Sequence, residues 1–180
     1  MTNKKRLLFP FAIITIILLG GAIIYFGSNS QYKDYRVEIK PAKKVLDLNK
    51  KFAFPINDDK GKEITQMKMY FDKVELRDEI IVKGQRALPI KGKTFLVLDI
   101  RIRNDYDQAL ELKARDFVRL SVNKKDDDKL SANIHNDPVT VEPISTKPTR
   151  LGFFISEKDE NIILYIGELK GDKTKIAVNF

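Results

Sequence analysis

Thr94-Phe95-Leu96-Val97-Leu98-Asp99-Ile100-Arg101-Ile102-Arg103-Asn104 is the stretch whose reading decides the fold. Leu96, Leu98, Ile100 and Ile102 share one parity, while Asp99, Arg101 and Arg103 share the other. Such period-2 alternation marks a strand with one buried and one wetted face. Lys91-Gly92-Lys93 supplies a turn before it and Asn104-Asp105 ends it. The pattern predicts the central strand of a two-layer β body.

Upstream, Thr65 to Val82 places Met67, Met69 and Phe71 on one parity, then Val74 and Leu76 on the other. A slip of this kind near Asp72-Lys73 reads as a β-bulge or as a strand crossing between sheets. Ile80-Ile81-Val82 reads as a continuation of that strand, and Gly84 to Gly92 as a loop. Phe52, Phe54 and Ile56 open the domain before the turn-rich Asn57-Asp58-Asp59-Lys60-Gly61. Tyr35, Val37 and Ile39 form a candidate edge strand that Pro41 breaks.

Downstream, Leu110 and Leu112 belong to a short extended piece, and Phe117 to Val122 alternates again. Lys124-Lys125-Asp126-Asp127-Asp128-Lys129 reads as a charged hairpin tip, and Leu130 to Asp137 as an irregular polar segment. Val139 and Val141 make a short strand stopped by Pro143. Thr149 to Ile155, Asn161 to Ile166, and Ile176 to Phe180 complete the set. Seven or eight short strands at close turn spacing, without a water-soluble helix, predict an all-β sandwich.

The order of these pieces resembles a known family. The carriers are the broken strand Met67 to Leu76, then Lys91-Gly92-Lys93-Thr94-Phe95-Leu96-Val97-Leu98-Asp99-Ile100 and Arg103-Asn104. Leu110-Glu111-Leu112, Asp116-Phe117-Val118-Arg119-Leu120 and Leu151-Gly152-Phe153-Phe154-Ile155 follow. Over roughly residues 64–180 the chain is similar to the bacterial secreted immunoglobulin-like family catalogued as domain of unknown function 4352. The resemblance implies an immunoglobulin-like β-sandwich outside the cell, without established enzymatic activity or agreed functional residues. The chain departs from the family in lacking a lipobox cysteine, and it has Ile144-Ser145-Thr146-Lys147-Pro148 where a proline-glycine turn is usual.

The N-terminus predicts the address. Lys4, Lys5 and Arg6 precede the apolar run Leu7 to Phe26, and the next charge is Lys33. Twenty residues at about 1.5 Å each reach about 30 Å, the thickness of a bilayer's hydrocarbon core. Leu7, Leu8, Phe9, Ile13, Ile16, Leu19, Ile23 and Phe26 are the expected lipid-facing anchor residues, and Lys4, Lys5 and Arg6 the topology signal. The organisation expected is a cytoplasmic basic tail over 1–6, a transmembrane anchor over 7–27, a basic linker over 28–50 and an extracellular β-sandwich over 51–180. Cleavage as a secretory signal after Ser28-Asn29-Ser30 is the alternative.

The 180 residues suit one domain plus a targeting segment, and 43% hydrophobic content supports a core. Cysteine is absent, which excludes disulfides, thiolate metal sites and a lipoprotein anchor. Of the net charge of +8, three charges belong to Lys4, Lys5 and Arg6, leaving +5 beyond them. Arg101, Arg103, Arg115 and Arg119 are a candidate basic stripe, but the aromatics fall mostly on core parity, so nucleic acid is not expected. Lys43, Lys44, Lys50 and Lys51 are candidates for anionic lipid or wall polymer, against the simpler reading of a solvated tether.

His135, the one histidine, would need Ser131 or Ser121 and Asp137 to form a triad, and no nucleophile elbow is present. Asp126-Asp127-Asp128 lacks the alternation, glycine and glutamate of a calcium loop. The chemistry expected is therefore binding: a membrane-anchored domain touching an envelope protein or anionic wall polymer, without cofactor or metal. An envelope enzyme built on scattered acids, and an accessory acting through Gly20-Gly21 in the apolar run, are the alternatives.

Overall fold

In the computed structural model the described residues are 37–125 and 127–180. The expected anchor (Leu7, Leu8, Phe9, Ile13, Ile16, Leu19, Ile23, Phe26) and topology residues (Lys4, Lys5, Arg6) lie outside them, as do Tyr35 and Asp126. Among the described residues, no helix is long and apolar enough to cross a membrane.

The described residues form eleven strands: β1 (Lys44–Asn57), β2 (Glu63–Arg77), β3 (Ile80–Val82), β4 (Gln85–Ala87), β5 (Lys93–Asn104), β6 (Leu110–Leu112), β7 (Val118–Ser121), β8 (Val139–Val141), β9 (Ser145–Ser156), β10 (Ile162–Ile166) and β11 (Thr174–Val178). A 3-10 turn at Ala114–Phe117 precedes β7. Seven strands build two main sheets, ordered β1-β2-β5-β9 and β11-β10-β7, while β3-β4 and β6-β8 are small ribbons. The four-plus-three division is that of a constant-type immunoglobulin domain, but the path differs. In that domain the third strand crosses to the second sheet; here β5 stays in the first, and β7 is the first to cross.

The inner faces meet in one core. Met67, Met69 and Phe71 of β2 and Leu96, Leu98, Ile100 and Ile102 of β5 meet Val118, Leu120, Leu164 and Ile166 of the other sheet, all essentially inaccessible to water. Fully burying such a side chain contributes about 1.5–3 kcal/mol, so these residues outweigh any surface ion pair. β5 is the interior strand expected: β2 pairs with it on one side and β9 along its whole length on the other.

On the β2 side, each strand outward from β5 carries one more residue over the same span. Phe71 and Lys73 pair with the adjacent Ile100 and Asp99, so Asp72 is extra in β2. Lys50 and Asp47 pair with Phe71 and Lys73, so β1 has a further extra residue, and Asn49 there takes a φ of 49°. The bulge read from the sequence at Asp72-Lys73 is this feature, and it turns Asp72 outward.

Three expectations about segment boundaries change. β1 begins at Lys44, so residues 44–50 of the expected 28–50 linker are sheet. Its lysines are tolerated because β1 is an edge strand, where charge discourages further pairing. Val37 and Ile39 form no strand; their segment lies along β3 and β4, with Lys40 N donating to Glu79 (3.2 Å) and Arg86 donating to the Glu38 carbonyl (2.6 Å). Ile80–Val82 does not prolong β2 but turns back at Lys83-Gly84 to pair with Gln85–Ala87 inside the expected loop. Pro55 and Pro148 sit within β1 and β9, the two edges of the larger sheet.

Asn104 ties the far end of β5 to the β6-β8 ribbon. It is fully buried; its Nδ2 donates to the carbonyls of Gln108 (2.8 Å), Val141 (3.1 Å) and Glu142 (3.1 Å), and its Oδ1 accepts from Tyr106 N (2.9 Å). Removing the amide strands the buried Val141 carbonyl. Asn104→Ala is therefore expected to cost about 1–3 kcal/mol in urea unfolding, with the midpoint lowered and the slope unchanged. A midpoint equal to wild type would contradict this role.

Candidate functional site: a groove on the outer face of the larger sheet

The first half of β5 is buried on both faces. Phe95 and Val97 point away from the main core into a second, smaller cluster with Ile80, Val82, Ala87 and Ile134. The β3-β4 ribbon covers one side of this cluster, and the segment Ala132 to Asn136 crosses from the other. That segment pairs with β9 through Gly152: Ile134 N donates to the Gly152 carbonyl (3.0 Å) and Gly152 N to that of Ile134 (2.7 Å). A Cβ on Gly152 would stand 3.0 Å from the Cβ of Ile134, so glycine permits the close crossing.

Between the two covers lies an apolar slot of about 220 Å³, floored by Val97 and Gly152 and walled by Ile39, Ile81, Val82 and Ile134. Arg77, Lys83, His135 and Arg150 stand around it. It continues, through the shared residues Asn136 and Arg150, into a more open hollow of about 450 Å³ whose lining includes the charged Asp72, Asp99 and Arg101 beside Pro148. The two form one groove along β5 and β9, apolar at one end and ionic at the other.

The ionic end is already neutralised. Arg101 grips Asp72 with Nε and Nη2, both at 2.7 Å, and lies 5.2 Å from the Tyr70 ring centroid. Asp99 lies between Arg150 Nε (2.9 Å) and Lys73 Nζ (3.6 Å). Glu75, almost wholly buried, accepts from both Lys73 (2.6 Å) and Arg77. Burial pushes the Glu75 carboxyl up, but the bonds from Arg77 and Lys73 outweigh it and hold the group below its ordinary value. The same bond to Glu75 raises Lys73.

The candidate basic stripe is not a free row of cations. Arg101 pairs with Asp72, Arg103 with Asp105 (2.6 Å) and Arg115 with Asp137 (3.7 Å); Arg119 donates to the carbonyls of Arg115 and Val118. His135 lies 3.0 Å from Arg115 Nη1 and 3.5 Å from Asp137. Ser121 is buried on β7 opposite Ile163, and Ser131 is exposed. Asp137 N donates to His135 Nδ1 (3.2 Å), so the ring is held between Asp137 and Arg115. Asp127 and Asp128 are exposed on the tip between β7 and Leu130. Among the described residues, no three His, Asp or Glu side chains are grouped to hold a metal. Elsewhere, an open hollow of about 410 Å³ gathers Glu111, Asp116 and Glu168 around Lys113.

No family model and no curated protein matches the chain. Two solved structures share its fold. A conserved hypothetical protein from Bacillus anthracis superposes with a TM-score of 0.55 at 16% identity, covering 77% of this chain and 99% of its own. An uncharacterized beta-sandwich protein from Clostridium difficile gives 0.52 at 17% identity, covering 81% and 100%. The chain is a β-sandwich. At these identities the likeness concerns architecture alone, so what the groove does must be argued from its own residues.

The Glu75 cluster makes a pH prediction. A carboxyl held below its ordinary value of 4.5 contributes stability that is complete above that value and lost as pH falls through the lower native one. Thermal denaturation followed from pH 7 to pH 3 should show the wild type losing stability below about pH 4.5. Glu75→Gln should start about 1–3 kcal/mol lower at pH 7 and lose less on acidification. Parallel curves for the two proteins would show that Glu75 is not the group responsible.

Proposed function

We propose that this protein is a membrane-anchored, non-enzymatic interaction domain of the bacterial cell envelope. Its β-sandwich stands outside the cell and takes an extended segment of another envelope protein along the groove over β5 and β9. The reading assigns the chain to the secreted immunoglobulin-like family catalogued as domain of unknown function 4352. It places Leu7 to Phe26 across the bilayer as a single pass, with Lys4, Lys5 and Arg6 inside.

The groove's composition carries the choice of partner. An anionic wall polymer needs several unspent cations, yet Arg77, Arg101 and Arg150 each hold a carboxylate, which leaves Lys83 as the unpaired lysine among the groove's described residues. A polypeptide instead presents alternate apolar and polar groups, which suits a slot walled by Ile81, Val82 and Ile134 leading into a paired ionic floor. The reading of an envelope enzyme built on scattered acids would have to use the Glu111, Asp116 and Glu168 hollow, which lies apart from this groove.

The test is made on intact cells producing the full chain. Protease added outside should remove the β body. A photo-crosslinking side chain replacing Asn136, on the groove's lip, should give a discrete adduct of higher mass. The same group replacing Lys124, on the β7 tip, should give none. A heterogeneous ladder from Asn136 would replace the protein partner with a polymer; no adduct, or a protease-resistant body, would overturn the proposal.

A further inference from the structure

The end of the sandwich where β5 begins carries an apolar projection that the groove does not use. Leu88-Pro89-Ile90 leaves the β3-β4 ribbon and turns into β5, its last turn closed by Lys93 N donating to the Ile90 carbonyl at 3.0 Å. Leu88 is 64% exposed and Ile90 74%, the two highest values among the exposed large hydrophobic residues. Phe154 rests against Phe95 at this same end and is itself 42% exposed. An apolar loop tip held out in water has no folding purpose of its own.

The charges around the tip have a definite balance. Next to the tip, Asp78 pairs with Lys43 (2.6 Å), Glu79 with Lys40 (3.4 Å) and Arg86 (3.7 Å), and Glu157, whose N–H donates to the Gly92 carbonyl, with Lys43 (3.7 Å). The acids on the neighbouring loops of this end, Asp127, Asp128, Asp159 and Glu160, form no ion pair among the described residues. Lys44, Lys91 and Lys93 carry no ion pair among the described residues. Their positive charge is therefore left over beside the apolar tip, the pairing of groups found on surfaces that dip into anionic lipid.

The tether supplies the third argument. Ten residues, 27–36, separate the apolar run from Val37, and even fully extended they span no more than about 36 Å. A body so held meets the bilayer surface at a high effective concentration, so even a weak contact is populated.

We propose that Leu88, Pro89 and Ile90 insert into the headgroup region of the same anionic bilayer that holds the N-terminal segment, with Lys91 and Lys93 against the phosphates. This second attachment rests on the anchored reading given above. It fixes which end of the sandwich faces the lipid. The turns joining β1 to β2 and β10 to β11 then project away from it, and the groove lies along the side of the body.

The chain contains no tryptophan, so a single one reports its own surroundings. The full chain is reconstituted into vesicles of phosphatidylcholine and phosphatidylglycerol carrying brominated acyl chains. Ile90→Trp and Leu88→Trp are compared with Leu169→Trp, which lies 55% exposed between β10 and β11 at the other end of the body. That is roughly 36 Å away by the length of β5. The tip tryptophans should emit at shorter wavelength and be quenched several-fold more strongly than the one at Leu169. Removing phosphatidylglycerol should weaken the difference.

Equal quenching at both ends overturns the proposal. So does a blue-shifted but unquenched tip, which would report contact with protein, such as a second copy. Failure of the anchored reading is seen separately: the wild-type chain would then not float with the vesicles or would be stripped from them by carbonate.

Discussion

β5 is hydrogen-bonded along both edges and, from Phe95 to Leu98, packed on both faces. This double burial is the constraint from which the rest of the body follows. On the inner side Leu96 and Leu98 enter the main core. On the outer side Phe95 and Val97 would face water if nothing lay over them, and burying such side chains stabilises by a few kcal/mol. The β3-β4 ribbon and Ile134 provide that cover. Because they arrive from opposite sides and do not meet, an open slot remains above Val97 and Gly152, and the groove is a by-product of how the second cluster is closed.

Beyond Leu98 the outer face of β5 changes character. Asp99, Arg101 and Arg103 find partners on β2, β9 and the following loop, and the bulge at Asp72 sets one of them. The extra residue turns Asp72 to the same side as Lys73, so the outer face gains a carboxylate opposite Arg101. These pairs are partly exposed, and their individual worth to stability is small. Their larger effect is on recognition. They leave little free positive charge along the groove, whereas the lysines at the end where β5 begins remain unspent. One chain thus presents two surfaces of different chemistry.

Much of this was legible from residue order, and what was not has identifiable causes. The alternation of Leu96 to Arg103 gave the interior strand, the parity break at Asp72 gave the bulge, and Pro143 gave the end of β8. β1 escaped because its two extra residues restore the parity that one would have broken, while Lys44, Lys50 and Lys51 made its first half resemble a tether. The β3-β4 ribbon had a turn signal in Lys83-Gly84, where both residues take positive φ (49° and 77°). A two-residue hairpin loop requires that geometry, and lysine in place of the usual asparagine disguised it. Phe95 and Val97 lie on the parity of Asp99 and Arg101, so their burial depends on segments distant in sequence. The groove was invisible for the same reason: Val97, Ile134 and Gly152 meet only through long-range pairing.

Amide hydrogen exchange on the full chain, resolved residue by residue, bears most directly on the claim that β5 holds the body together and the ribbon merely covers it. Amides of Leu96 to Ile100 should exchange last, with the free energy of global unfolding, while those of Ile80 to Ala87 open earlier in a local step that leaves the main core intact. If the ribbon and β5 exchanged together, or if β5 opened before the edge strand β1, the double-faced strand would not be the element on which the fold and its groove depend.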